Sequence, residues 1–505
     1  MPLRELPARP NLEHLKKQAT LLQREALQGD AAAADRFREA QITFAGDASK
    51  LADAQYVIAR EYGFGSWAKL KAHVGSLSDD PMEALTVAIK ANDAALVRDV
   101  LSRHPELKPR LNEPLPNYSF DTPALIAAVY KDNREMIDVL LSAGADINAR
   151  TKWWAGGFGV LDNSSAELTP YLIQRGAAVD IHASARLGMF DRVRSLVEAY
   201  PSLVRARGGD GQTPLHFASS VEIAAYLLDH GAELDARDID HESTAAQYMA
   251  AIWPRRPEVA RYLISRGAQT DILMAASIGD LELVRHFLDE DPASVRISVS
   301  ERDFPKRDPS SGGCIYIFGF GWTRTAHMLA HKFGHQDVFQ LLMQRSPLGL
   351  RFAIACEVGD EELAQSLLAK HPGLIRKLRP ESYRRIIGAA LRNNTQAVDM
   401  MLDAGWPANV IGNYDQTPLH WAAFHGNVEM VRALLQHQAA LEAQEQQFHG
   451  TPLHWALYGS EHGWQRDSGN YPGTVQVLLA AGARLQQPVE EVNAPEEVLE
   501  VVRRQ

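Results

Sequence analysis

The sequence predicts a mainly α fold: a solenoid of helix-turn-helix units with short β-hairpin fingers, preceded by a small helical N-terminal segment. Three observations predict it. The hexad Thr417-Pro418-Leu419-His420-Trp421-Ala422 returns as Thr451-Pro452-Leu453-His454-Trp455-Ala456, 34 residues later, with an earlier copy at Thr213-Pro214-Leu215-His216-Phe217-Ala218. A period in the low thirties marks stacked supersecondary units rather than one globular core. A second motif ends the units at Leu140-Leu-Ser-Ala-Gly-Ala, Leu227-Leu-Asp-His-Gly-Ala and Leu263-Ile-Ser-Arg-Gly-Ala. Third, 505 residues exceed what a single core usually sustains.

The elements follow in chain order. Residues 1–78 read as a helical domain or cap. Leu12, Leu15, Ala19 and Leu22 keep helical spacing, 31–40 is a second helical stretch, and the run from Leu51 ends at Gly63. Ser66 is placed to cap a fourth helix that starts at Trp67. Residues 79–487 carry about twelve units, starting near 81, 119, 153, 182, 211, 240, 271, 322, 349, 381, 415 and 449, several of them degenerate. Within the hexad, Thr caps the helix and Pro takes the first helical position, where its missing N–H costs nothing. Leu and Ala face the packed side, and the His ring can tie one turn to its neighbour. Glycine ends one variety of unit with a positive φ. A second variety ends in a proline turn at Pro105, Pro201, Pro292 and Pro372. Residues 488–505 read as a capping segment, because a solenoid end needs a polar outer face.

The hexad and the glycine endings resemble the ankyrin repeat over about 400 of the 505 residues, most closely at 213–236, 415–442 and 449–483. Residues 1–78 are similar to a helical leader often found before bacterial ankyrin arrays. The resemblance implies a cytoplasmic scaffold that presents hairpin tips and first helices, on a concave face, to a protein partner.

Composition narrows the rest. The chain is 46% hydrophobic and 23% charged, as folded proteins are, with a net charge of −11. An acidic chain without a long Lys/Arg cluster is a poor nucleic-acid binder. Two cysteines, Cys314 and Cys356, build neither a disulfide framework nor a thiolate zinc site, which suits a reducing compartment. The start lacks a secretory h-region and no run of 18 apolar residues occurs, so neither export nor membrane insertion is expected. No nucleotide or cofactor fingerprint is present, and no cofactor or metal is expected.

Five places break the repeat, and irregular loops on a rigid scaffold are where function concentrates. Trp153-Trp154, followed by glycines, either plugs a gap in the stack or faces a ligand as an aromatic platform. Asp240, His241 and Glu242 sit at a hairpin tip, where they are solvated or form a polar acid/base site. The insertion 298–322 carries Arg302, Lys306 and Arg307, which could meet an anion. Tyr316, Phe318, Phe320 and Trp322 follow there at period two, which predicts an extended arm with one aromatic face. His327 and His331 occupy i,i+4 positions in a helix, a spacing that permits metal ligation, but no third ligand is identified. Glu461, His462, Trp464, Arg466 and Tyr471 crowd an insertion in the last unit, next to Trp421 and His425 of the preceding one.

Two functions compete. The first is a non-catalytic scaffold for a protein partner. The second is a binding protein or enzyme for a small molecule, a sugar or an apolar metabolite. It would use Trp153, Trp154, Trp322 and Trp464 as platforms and Asp240, Glu242, Glu461 and His462 as acids and bases. Convergence of loops 152–162, 301–322 and 458–471 would favour the second.

Overall fold

A computed structural model describes residues 4–7, 10–41, 51–378, 380–412, 414–486, 488, 492 and 494–504. They form two compact units. The first holds residues 1–249, 254–269 and 306–314; the second holds 250–253, 270–305 and 315–505.

The first unit begins with the helices Leu12–Leu27, Ala31–Glu39, Leu51–Glu61 and Trp67–Gly75. Leu15, Ala19, Leu22, Phe37, Val57, Ile58 and Leu70 bury their side chains in a common core. Asn11, Asp30 and Ser66 cap three of these helices through side-chain oxygens. Helix pairs follow, such as Pro81–Lys90 with Ala94–Arg103 and Ala124–Tyr130 with Arg134–Ser142. Asp80, Asp93 and Asn133 cap helices here in the same way. The unit expected near 153 has lost its first helix. Its next helix is Leu168–Gln174, and residues 151–158 run as a loop.

In the second unit the pairs run from Ile272–Ile278 with Leu281–Glu290 to Pro452–His462 with Tyr471–Ala480, and Glu496–Arg503 packs on the last helix. From Phe352 to Val502, apolar side chains of successive pairs, mostly Ala, Leu, Val and Met, form one continuous core. No single pair can bury that face alone.

The hexad works as its chemistry demands. His216 Nδ1 accepts from the Thr213 N–H at 3.1 Å, and Nε2 donates to the Ser243 carbonyl of the next finger, also at 3.1 Å. His420 repeats this from Thr417 to Gly450, at 3.1 Å on each side. His454 sits in the last hexad, and its Nδ1 is buried without a hydrogen bond. Fingers close on single antiparallel bridges, Arg237–Thr244 and Ser298–Thr325 among them. Both endings form as well. Gly144 takes φ 104° at one, and Pro105, Pro201 and Pro292 each open a short 3-10 turn at the other.

The aromatic arm is a correction. The alternation at 316–322 predicts an extended strand, but Tyr316–Gly319 is a helical turn. Tyr316 and Phe320, four apart, stack at 5.0 Å and are both buried, and Tyr316 donates its hydroxyl to Asp271 at 2.8 Å. Burying two rings on one helical side outweighs a half-exposed strand, which leaves only Phe318 as a large exposed ring of the run. His327 and His331 also part ways. His327 is fully buried and bonded through Nε2 to Ser346 Oγ at 2.8 Å, whereas His331 lies against Phe339.

Candidate functional site

A dense polar cluster is built by fingertips of the first unit. Residues 209–211 form a tight turn in which Asp210, at φ 53°, holds a left-handed conformation that few residues but Gly, Asn and Asp adopt. The Trp153 loop locks onto it: Asp210 N donates to the Gly156 carbonyl at 3.2 Å. Gly156 is obligatory there, because a Cβ would stand 2.2 Å from the Gly208 carbonyl oxygen. On the other side, the Asp210 carbonyl accepts from Ile239 N at 2.9 Å and Asp240 N at 3.2 Å. A fourth segment arrives from the long insertion, where Gly312 N donates to the Asp240 carbonyl at 2.8 Å and to its Oδ1 at 3.0 Å. Backbone hydrogen bonds thus fix the site on four sides.

Into this frame point Asp210, Asp238, Asp240 and His241. Asp238 is structural: its carboxylate accepts from His241 N at 2.8 Å, Ser243 N at 2.7 Å and the Tyr248 hydroxyl at 3.0 Å. His241 Nδ1 lies 3.2 Å from Asp240 Oδ2 and 3.6 Å from Asp238 Oδ2. Asp210 Oδ1 and Trp153 Nε1 are buried without a well-formed hydrogen bond. Burial, then the charges of Asp240 and Asp238, push the Asp210 carboxyl up to about 7, although the neighbouring Trp153 indole pulls the other way. Burial likewise raises Asp238, against the two backbone N–H groups and His241. Ligand atoms of Asp210, Asp240 and His241 all lie within 4.8 Å of one another, so these three side chains, rather than His327 and His331, could hold a divalent cation.

An apolar strip runs along the same fingertips. Phe120 meets Trp153 edge-on at 4.9 Å and Phe158 at 5.7 Å. Phe158 covers Gly209 and Ile239 covers Gly211, so closely that a Cβ on either glycine would lie 2.4 Å from a side-chain carbon. Phe120, Trp154 and Ile239 remain 41%, 47% and 43% exposed. The tryptophan pair therefore splits its work: Trp153 is half-buried in the frame and Trp154 faces out.

The other expected residues fall elsewhere or are already engaged. Glu242 accepts from Arg307 N at 2.8 Å and from Asp308 N, which makes it a clamp on the insertion rather than a free acid. Arg302 forks onto Asp303 at 2.9 and 3.0 Å, so this cation is paired within the chain. Lys306 is exposed and Trp322 half-buried. Trp421, His425, Glu461, His462 and Trp464 form a separate group within the second unit. There Trp421 stacks on Trp464 at 6.0 Å and meets Trp455 at 5.0 Å. His425 is buried and donates from Nε2 to the Leu391 carbonyl at 2.9 Å, which makes it structural. Burial lowers its pKa. Glu461 and His462 lie 3.6 Å apart, and Trp464 is 63% exposed. Loop 152–158 and residues 306–314 are linked indirectly, through Asp210 and Asp240, while residues 458–471 pack against the helix Pro418–Phe424 of their own unit.

Asp210 is the residue that sequence reasoning missed. Its signal was the Gly209-Asp210-Gly211 triplet directly ahead of the first hexad, a turn in which a lone acid is raised on glycines.

Family models of ankyrin repeats match residues 181–274, 352–445 and 386–488, and a single ankyrin-repeat model matches 121–152, together just over half of the chain. Relatives include the probable 26S proteasome regulatory subunit p28 of Saccharomyces cerevisiae, 26% identical over 33% of this chain and 84% of that protein. The ankyrin repeat domain-containing protein SAT10 of Stachybotrys chartarum is 22% identical over 72% of this chain and 21% of its own length. The E3 ubiquitin-protein ligase XB3 of Oryza sativa is 34% identical over 17% of this chain and 20% of its own. The chain thus spans only about a fifth of the last two relatives. All three are eukaryotic, so the comparisons do not bear out a bacterial origin.

Proposed function

The chain belongs to the ankyrin-repeat family, and we propose that it acts as a scaffold that binds a protein partner through the hairpin tips and first helices of its concave face. One observation carries the reading. In the first unit an exposed apolar strip of Phe120, Trp154 and Ile239 borders the half-buried Asp210 and the buried Asp240. An apolar strip bordering a desolvated acid is how a hot spot is built. The partner is a segment that sets an arginine or lysine beside apolar side chains. Its cation meets Asp210 and Asp240 while its stem lies on the Trp154 ring, where charge and ring quadrupole act together. Burial and then the charges of Asp240 and Asp238 push Asp210 up to about 7, and a cation there offsets the charge repulsion. A cytoplasmic location and a leader role for residues 1–78 are part of this proposal.

A photo-crosslinking residue tests it. Placed at Trp154, it should capture one partner, and the capture should fail when Asp210→Asn is added. Placed at Arg194, on the helix Phe190–Ala199, it should capture none. Equal capture at both places would sink the reading.

A second reading draws on the same carboxyl: an acid pushed up to about 7 is suited to general acid–base work at neutral pH. Asp210 and Asp240 would then act on a small molecule laid on Trp154. Incubation with pooled metabolites should in that case raise the apparent melting point of the wild type and not of Asp210→Asn. No shift with any pool would remove this reading.

A further inference from the structure

The second unit contains a concentration of buried positive charge that partner binding at the fingertips does not use. Glu357 lies in the last turn of the helix Leu348–Val358. Arg385 opens the helix Arg385–Leu391, Arg392 follows its last residue, and Thr323 and Arg324 precede the helix Ala326–Lys332. Glu357 is only 1% exposed at its side chain, and it takes Arg392 Nη2 at 2.8 Å and Arg385 Nη2 in a short contact. Arg392 is 7% exposed, and its other terminal nitrogen donates to Thr323 Oγ1. Arg385 is 18% exposed. Arg324 is half-buried and close enough to feel Glu357 and to oppose Arg392.

Charge and hydrogen bonding are both incomplete here. Two guanidinium groups pair with one carboxylate and a third, Arg324, lies close by, which leaves two positive charges in excess. The Nε atoms of Arg324, Arg385 and Arg392 are all buried with no hydrogen-bond partner. A buried donor left unmade is costly, and a buried cation without its counter-charge more so. Burial, then Arg385 and Arg324, depress the Arg392 pKa against the pull of Glu357, which shows how closely the three cations are held. The surrounding backbone holds them there at further cost. Thr323 is β-branched yet sits at φ 62°. Gly388 leaves room, since a Cβ would lie 3.1 Å from Thr323 Oγ1 and 3.2 Å from Arg392 Nη1.

We infer that Arg324, Arg385 and Arg392 form a binding site for a phosphomonoester-type dianion, with Glu357 and Thr323 as the fixed floor that positions the guanidinium groups. Two excess positive charges match the charge of a phosphate dianion. The unmade Nε donors supply the planar N–H fork that suits phosphate oxygens. Arg392 and Glu357 are the more buried members of the cluster, and Arg385 and Arg324 the more exposed. The ligand is either free phosphate or a phosphoryl group carried on a larger molecule. This site does not depend on the fingertip reading.

Calorimetric titration of the full chain with inorganic phosphate and with a phosphoserine peptide tests the site, against sodium chloride of equal ionic strength. Saturable binding of one phosphate group per chain is expected. Arg324→Gln should weaken it at least tenfold, as should Arg385→Gln. The charge-matched control Lys370→Gln should leave it unchanged. Circular dichroism identifies any variant that has not folded, and Arg324, which makes no ion pair with Glu357, is the variant most certain to fold. Peptide binding at least tenfold tighter than free phosphate assigns a carried phosphoryl group; equal affinities assign the free anion. Heat no greater than that of chloride, or phosphate affinity unchanged in folded Arg324→Gln, overturns the site.

Discussion

Replacing Asp210 by Asn should stabilise the first unit. The folded state pushes the Asp210 carboxyl up to about 7, against an ordinary value of 3.8. About three pH units at about 1.4 kcal/mol each set a ceiling of roughly 4 kcal/mol. Asp210 keeps some solvent contact, so about 2–3 kcal/mol is the working figure. The sign follows from proton uptake. A raised carboxyl pKa means that the folded state binds a proton between about pH 4 and 7 while the unfolded chain does not. The cost of Asp210 is therefore complete above pH 7 and fades as the pH falls towards 4. Asn is neutral throughout and tolerates the left-handed backbone at φ 53°. Native-state hydrogen exchange of the Ile239 and Asp240 amides reads this locally, since both donate to the Asp210 carbonyl. At pH 8 their protection should rise by about 2–3 kcal/mol, and near pH 4.5 by under about 1 kcal/mol. A loss of protection at pH 8, or a gain that ignores pH, would refute the electrostatic account of the site.

Four further outcomes follow from the same structure. His216 is held at about 4 by burial, below its ordinary value of 6.5, so its stabilisation is complete above pH 6.5 and is lost as the pH falls to about 4, by about 3 kcal/mol. It opposes Asp210 over that window, so acid unfolding should be steeper in Asp210→Asn than in the wild type, as seen in urea titrations at pH 7 and 5. His420→Ala should cost about 2–4 kcal/mol, because it strands two backbone groups inside the stack, whereas His454→Ala should cost about 1 kcal/mol or less; equal losses by urea titration would contradict the tie between repeats. Gly211→Ala combines φ 72° with a Cβ 2.4 Å from Ile239, and should lower the melting temperature of the first unit by several degrees and disturb the Asp240 turn. Glu357→Gln removes the competing carboxylate and should tighten phosphate binding in the titration above while lowering thermal stability; a mere structural ion pair would lose stability with no gain in affinity.

The repeat was legible because its chemistry is local. Thr, Pro, Leu and His each act within one turn or on the next finger, so a hexad of six letters predicts both the helix start and the His bridge that the structure shows at 216 and 420. The four N-terminal helices were legible for the same reason, through spacing and the Ser66 cap. The site was legible only in part. Asp240 and His241 declared themselves by crowding one tip, and Trp153-Trp154 by breaking the period. Asp210 did not, because its raised pKa comes first from burial and then from the charges of Asp240 and Asp238 one finger away, across a packing of glycines that no single segment reveals. Glu242 misled in the opposite direction: its partners are backbone N–H groups of residues 307 and 308, which are invisible in composition. Tyr316 and Phe320 misled because alternation and helical spacing coincide at four residues, and burial decided between them. The arginine cluster was also hidden, since Arg324, Glu357, Arg385 and Arg392 come from three different repeats.

Peptide display on the full chain tests the central claim, that the fingertips take a cation flanked by apolar residues. Enriched peptides should carry Arg or Lys next to aliphatic or aromatic residues, and should lose binding to Asp210→Asn and to Trp154→Ala while both variants stay folded. Enrichment of acidic or plain apolar peptides, or binding that survives both substitutions, would contradict it.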